Sequence, residues 1–165
     1  MIITVNDIRA VRPMAQNLDD SRVEMYIREA EILDVVPAIS AEVYEVLDAG
    51  ENLTAEEQMM LNGGYYDAGC GKRKFEGIKV ATAYLAYARF LRNNQVNVTP
   101  YGVVTKIGEE STTTEYRLVA SQASEAENIG RALLADAMRY WSSVTDACAC
   151  GKALRTKRKF VAIGK

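Results

Sequence analysis

The side chains best suited to chemistry in this chain are three cysteines, Cys70, Cys148 and Cys150, and a set of 22 Asp and Glu residues; there is no histidine. Without imidazole, a Ser-His-Asp or Cys-His nucleophile, a histidine general base and every histidine metal site are excluded. Cys148-Ala149-Cys150 is a C-x-C, not a C-x2-C knuckle with a second pair, so zinc is not expected and the thiols should be reduced. Asp19-Asp20, Glu29 with Glu31, Glu56-Glu57 and Glu109-Glu110 could offer carboxylate pairs. Adjacent helical residues point about 100° apart, so these acids are expected on solvated helix faces and in first turns, where the dipole favours them. Gly71-Lys72 fails the phosphate-loop spacing, because Tyr66 and Arg73 stand where a glycine and a hydroxyl residue are needed. No dinucleotide, nucleophile-elbow or calcium-loop motif occurs either, so no catalytic residue, metal ligand or cofactor is expected, and the chain is not read as an enzyme.

Charge is distributed unevenly. Residues 1 to 146 hold 14 basic and 22 acidic residues, a net of −8, while Lys152, Arg155, Lys157, Arg158, Lys159 and Lys165 give the end a net of +6. Such a basic run can contact nucleic acid, dock on an acidic protein surface, or simply stay solvated. The apolar Phe160-Val161-Ala162-Ile163 that comes next weakens the last of these, since a β-prone segment needs something to pair with. A second basic run, Lys72-Arg73-Lys74, sits in a glycine-rich loop from Tyr65 to Lys74 that is expected to be exposed.

These groups must be positioned by a chain of 165 residues, 48% hydrophobic and 25% charged, the composition of an ordinary soluble domain. Met1 to Val5 lacks the basic start and apolar core of a signal peptide, and no apolar run is long enough to span a bilayer, which predicts a soluble cytoplasmic product with no membrane contact. Ile2 to Val5 has strand-like residues, and Asn6-Asp7 reads as the cap of a short helical turn ending before Pro13. A capping box at Ser21 and Glu24 opens a helix in which Val23, Tyr26, Ile27, Ala30 and Leu33 recur on one face up to Pro37. A shorter piece runs from Ser40 to Ala49, with Val43, Tyr44, Val46 and Leu47 inward and Gly50 as its stop. Thr54 and Glu57 form another capping box ahead of Met59, Met60 and Leu61, and Asn62-Gly63-Gly64 ends that helix.

The strongest helical pattern spans Gly77 to Asn94, with Ile78, Ala81, Leu85 and Ala88 in one line and Val80, Tyr84, Tyr87 and Leu91 in the next, as for the central helix of a bundle. Between residues 96 and 119 the period changes: Val103 to Ile107 and Thr112 to Val119 read as a β-hairpin or extended loop turned at Gly108 to Ser111. A last helix is expected from Ser121–Ser124 to Val144, with Ile129, Leu133, Ala137, Tyr140, Trp141 and Val144 on one side. The fold class is therefore mainly α: a bundle of about four to five helices over residues 1–146 with a hairpin or loop insertion at 96–119, and an extended, basic C-terminal tail over 147–165.

Several stretches together resemble the phage head-tail connector proteins, small helical adaptors that form a ring beneath the portal, and in particular versions from phages and prophages of gut Bacteroides-like bacteria. They are Tyr26-Ile27-Arg28-Glu29-Ala30-Glu31 followed by Pro37, Leu61-Asn62-Gly63-Gly64-Tyr65, Phe75-Glu76-Gly77-Ile78-Lys79, Tyr84-Leu85-Ala86-Tyr87-Ala88-Arg89-Phe90 and Tyr101-Gly102-Val103-Val104-Thr105-Lys106, spread over roughly residues 6 to 145. The resemblance implies a non-enzymatic virion protein, assembled in the host bacterial cytoplasm. Its partners would be further copies of itself in a ring, commonly a dodecamer, the portal protein, a tail or tail-completion protein, and DNA in passing.

A closed ring needs two different complementary patches on one chain. Lys152, Arg155, Lys157, Arg158, Lys159, Phe160, Val161 and Ile163, with Val103, Val104 and Ile107 as a second element, are the candidates for the contact with a neighbour or the portal. Lys72, Arg73 and Lys74 are the candidates for a DNA-facing basic loop. The alternative reading is a small nucleic-acid-binding or regulatory helical protein that uses the basic tail.

Overall fold

The computed structural model describes residues 1–15, 18–68, 71–94, 96–99, 102–105 and 116–145, with the backbone alone for 96–99, 102–105 and Tyr116. The protein is mainly helical, as the periodicity predicts. Its helices are α1 (Val5–Val11), α2 (Asp20–Ala30), α3 (Val36–Ile39), α4 (Ala41–Ala49), α5 (Ala55–Asn62), α6 (Gly77–Asn93) and α7 (Tyr116–Thr145), and a π turn (Glu31–Val35) joins α2 to α3. Among the described residues two antiparallel hairpins interrupt them: β1 (Gly64–Asp67) with β2 (Lys72–Phe75), and β3 (Val96–Thr99) with β4 (Gly102–Thr105).

α6 is the axis of the bundle. Ile78, Ala81, Leu85 and Ala88 are fully buried on it, and the flanking Val80, Tyr84, Tyr87 and Leu91 are half-buried, so the two-line pattern is realised. α7 runs antiparallel along α6, as the pairs Tyr140 with Phe75 and Glu127 with Arg92 show. The approach is close because Gly130 has no side chain: a Cβ there would lie 2.7 Å from Leu85 Cγ and 3.1 Å from the Ala81 carbonyl. α1, α2 and α5 pack on other sides of α6. Glycine is also required where α5 meets α6. Gly63 and Gly77, at φ +82° and +78°, lie back to back, with a Cβ on Gly77 only 2.3 Å from the Gly63 nitrogen.

The ends of these helices are largely where the sequence puts them. The Thr54–Glu57 capping box forms, with Glu57 N–H donating to Thr54 Oγ1 at 3.2 Å and Thr54 N–H donating to Glu57 Oε2 at 2.8 Å. α4 stops at Gly50 in the left-handed region.

Other details differ. α1 begins two residues earlier than a cap at Asn6 predicts, after Thr4, whose N–H and hydroxyl both donate to Asp7. The cap of α2 is Asp19, which accepts from the Ser21 N–H and hydroxyl, so Ser21 lies inside the first turn with its hydroxyl already engaged and the Ser21–Glu24 box does not form. Ile2 and Ile3 are buried but form no strand with any of the described residues; the Ile2 N–H donates to a side chain, Glu31 Oε1, at 2.7 Å.

Further expectations are overturned. The helix does not stop at Pro37 but runs through the π turn to Ile39, because Pro37 sits in the first turn of the next α segment, where its missing N–H breaks no bond. The extra residue in the π turn rotates the side chains there about the helix axis: Leu33, expected inward, is exposed, and Glu31, expected on a solvated face, is buried. Val46 is likewise exposed.

The Tyr65–Lys74 loop is the β1–β2 hairpin, in which Tyr65 pairs with Lys74 and Tyr66 with Arg73. The second hairpin lies earlier than expected, with Val96 opposite Thr105 and Thr99 opposite Gly102. Tyr116 to Val119, expected as strand, form the first turn of α7, since extending a helix upstream through Arg117, Leu118 and Ala120 is cheaper than nucleating a lone strand. Ile107 and 112–115 lie outside the described residues.

Candidate functional site

Of the residues predicted to act, Lys72, Arg73 and Lys74 can be placed: they form an exposed row along β2. The row is mounted on an aromatic base. Phe75, at its buried end, stacks on Tyr140 of α7 with ring centres 4.7 Å apart, and Tyr66 meets both rings edge-on at 5.7 and 5.3 Å. Tyr140 is held in turn by a 3.3 Å hydrogen bond from its hydroxyl to the Glu56 carbonyl, and burial raises its pKa. A shallow cleft of about 260 Å³ opens between the base and α7, lined by Tyr66, Arg73, Lys74, Phe75 and Asp136. Lys74 is not a free cation: its Nζ donates to Glu76 at 2.7 Å, and that bond raises its pKa. Asp136 pairs with Arg139 one turn on.

Val103 and Val104 lie on β4, whose backbone alone is described. The other expected contact residues, Ile107, Lys152, Arg155, Lys157, Arg158, Lys159, Phe160, Val161 and Ile163, lie outside the described residues, as do Cys70, Cys148 and Cys150. Among the described residues no cluster of three or more Cys, Asp or Glu side chains is arranged to hold a metal ion, and no helix is long and apolar enough to cross a membrane.

Two groups escaped the sequence reading, and both sit around the π turn. The first is ionic. Asp34 accepts from Arg89 Nε and Nη2 at 3.2 and 2.7 Å, and Arg131 of α7 approaches its other oxygen at 3.8 Å. Glu127 lies between Arg131 at 2.8 Å and Arg92 at 2.5 Å; the Arg131 hydrogen bond is the main cause of its lowered pKa. The second is Glu31, 2% exposed, whose two oxygens take the Ile2 N–H at 2.7 Å and the Tyr44 hydroxyl at 2.9 Å. Burial, then the Glu31 hydrogen bond, pushes the Tyr44 pKa up, which keeps the phenol protonated as a donor.

A buried carboxylate needs such donors. By turning Glu31 inward, the π turn leaves Ile32 and Leu33 outside at 64% and 58% exposure, beside Met25 at 55% two turns earlier. No motif signals this, because a 3.6-residue period assigns Leu33 to the core.

The family comparison covers most of this architecture. Residues 35–147 match the model of a family of unknown function, DUF6712. The chain belongs to that family. The DUF6712 span takes in the region from the end of the π turn through α7, and so the aromatic base, the basic row and the α6–α7 seam. No curated protein and no solved structure matches the chain.

Proposed function

We propose that this DUF6712 protein is a structural component of a phage virion, a head-tail connector whose copies form a ring between the portal and the tail. The observation that carries the reading is the order of the five connector-like stretches, from Tyr26-Ile27-Arg28 to Val103-Val104-Thr105, along one small helical body with a hairpin between its two longest helices. The uneven charge supports it, since a −8 body and a +6 tail are two unlike surfaces of the kind a closed ring needs. In this reading the segment Lys152 to Ile163 reaches a neighbouring copy or the portal. Val103, Val104 and Ile107 add a second contact, and Lys72, Arg73 and Lys74 face the DNA that passes through the ring. Assembly takes place in the bacterial host cytoplasm, and the protein works without catalysis.

The test is negative-stain microscopy of the purified protein, alone and mixed with the portal oligomer of the same phage or prophage. Rings alone or on the portal are expected. A folded monomer that ignores the portal, and that binds DNA with a steep salt dependence, would replace this reading with the nucleic-acid one. Removing Lys152 to Lys165 is expected to abolish ring formation while the helical circular dichroism is kept, and unchanged rings would remove the tail from the contact.

A further inference from the structure

We propose that the exposed stripe Met25, Ile32 and Leu33 is the seat of residues 157–163 of a second copy of this chain. The inference rests on the ring reading and names the surface that receives the tail. The three side chains are more than half exposed, at 55, 64 and 58%, and lie seven and eight residues apart on the outer side of α2 and the π turn. Large aliphatic side chains grouped this way mark a contact surface more often than isolated exposed ones do. Their exposure is built in: Glu31, bonded to Ile2 and Tyr44, occupies the inward position of that turn.

Charge identifies the occupant. Residues 20–51 contain nine acidic and two basic residues, a net of −7, which is nearly the whole excess of the body. Exposed Glu29 lies on the helix that carries Met25, and α4, tied to the π turn through Tyr44, adds exposed Glu42 and Glu45. A segment suited to this place needs clustered cations followed by apolar side chains. The chain contains one: Lys157-Arg158-Lys159-Phe160-Val161-Ala162-Ile163.

Reach allows it. Phe160 comes 15 residues after Thr145, the end of α7, and that length spans up to about 50 Å when extended. A second copy is the occupant because each chain then offers one tail and one stripe, the head-to-tail arrangement that closes a ring and covers every stripe.

The test is disulfide trapping in full-length chains carrying Cys70→Ser, Cys148→Ser and Cys150→Ser. One chain also carries Leu33→Cys and the other Val161→Cys, and both are imaged by negative stain. Mixed under mild oxidation, they are expected to give a linked pair of twice the chain mass as the main product, about tenfold above either chain alone. An internal link in a chain carrying both substitutions, with none in the mixture, would mean that the tail covers its own body and would overturn the inference. Rings that form without the link would overturn it too while leaving the connector reading intact; no rings and no link would end both.

A second arm reads the charge argument. Lys157→Glu with Arg158→Glu and Lys159→Glu should cut the linked product about tenfold, and Glu29→Lys with Glu42→Lys and Glu45→Lys should restore it. Product unchanged by the tail reversal would overturn the assignment.

Discussion

α6 is gripped on two sides by different physics. Against α7 it presents Ala81, Leu85 and Ala88, and α7 answers with buried Ala123, Ala126, Leu134 and Ala137 and with Gly130, so volume decides most of the fit, with the partly exposed Arg92–Glu127 ion pair beside it. Against α2 and the π turn the packing of Tyr26 edge-on to Phe90 is supplemented by buried and half-buried carboxylates, Glu31 and Asp34, each held by named donors. The first side is tolerant of which small residue stands where, provided none grows. The second is specific about chemistry and shifts the helix register to satisfy it. One helix can thus be bounded by a surface governed mainly by shape and by another that permits only particular groups.

The largest effect of added volume on α6 is expected outside both sides, where its start meets the end of α5, from Gly77→Ala. A Cβ there meets backbone at 2.3 Å in a left-handed conformation, so the loss should be about 3–5 kcal/mol, read as a large fall in the urea midpoint. Glu31→Ala probes the polar side and should cost about 2–4 kcal/mol, because it strands the Ile2 N–H and the Tyr44 hydroxyl beside a hole. Glu31→Gln, which keeps an acceptor, should cost less than half of that in the same titration. Gly130→Ala should cost about 1–2 kcal/mol, since Leu85 must move and the gain in helix propensity offsets part of the strain.

Acid gives a smaller effect. Glu127 has its pKa lowered from 4.5 by Arg131 and Arg92, so its contribution is present above that value and is lost as pH falls through the lower folded one. Glu127→Gln should flatten the melting temperature against pH in that window, and an unchanged slope would remove the pair from the account. The least effect is expected from Ile32→Ser with Leu33→Ser, within about 0.5 kcal/mol in thermal melts of the isolated chain, because neither side chain is part of the core.

The volume side was legible in the sequence and the polar side was not. Ile78, Ala81, Leu85 and Ala88 announce their burial by spacing alone, and Thr54 with Glu57 and the glycine stops announce helix ends through local rules. Glu31 gives no such signal, because its partners are 29 and 13 residues away and its burial depends on a turn with a different period. The β1–β2 hairpin was hidden for the same reason. Glycine and lysine read as a loop, while the contact of Phe75 and Tyr66 with Tyr140, which anchors it, joins residues far apart in the chain. Of the candidate site, the exposure of Lys72, Arg73 and Lys74 was legible; the stripe at Met25, Ile32 and Leu33 was not, since it exists only after the register shift.

The buried start of the chain has a consequence in time. Ile2, Ile3, Val5 and Ile8 are covered in the finished protein, and α1 packs on α6, which begins at Gly77. A ribosome adding about 5–20 residues per second reaches α6 roughly 3–14 s after making Ile8. For that interval four aliphatic side chains have no permanent cover. The part of the protein made first therefore waits for α6 to be sealed, and a pause in translation ahead of Gly77 prolongs the period in which it is open to chaperones or to other nascent chains.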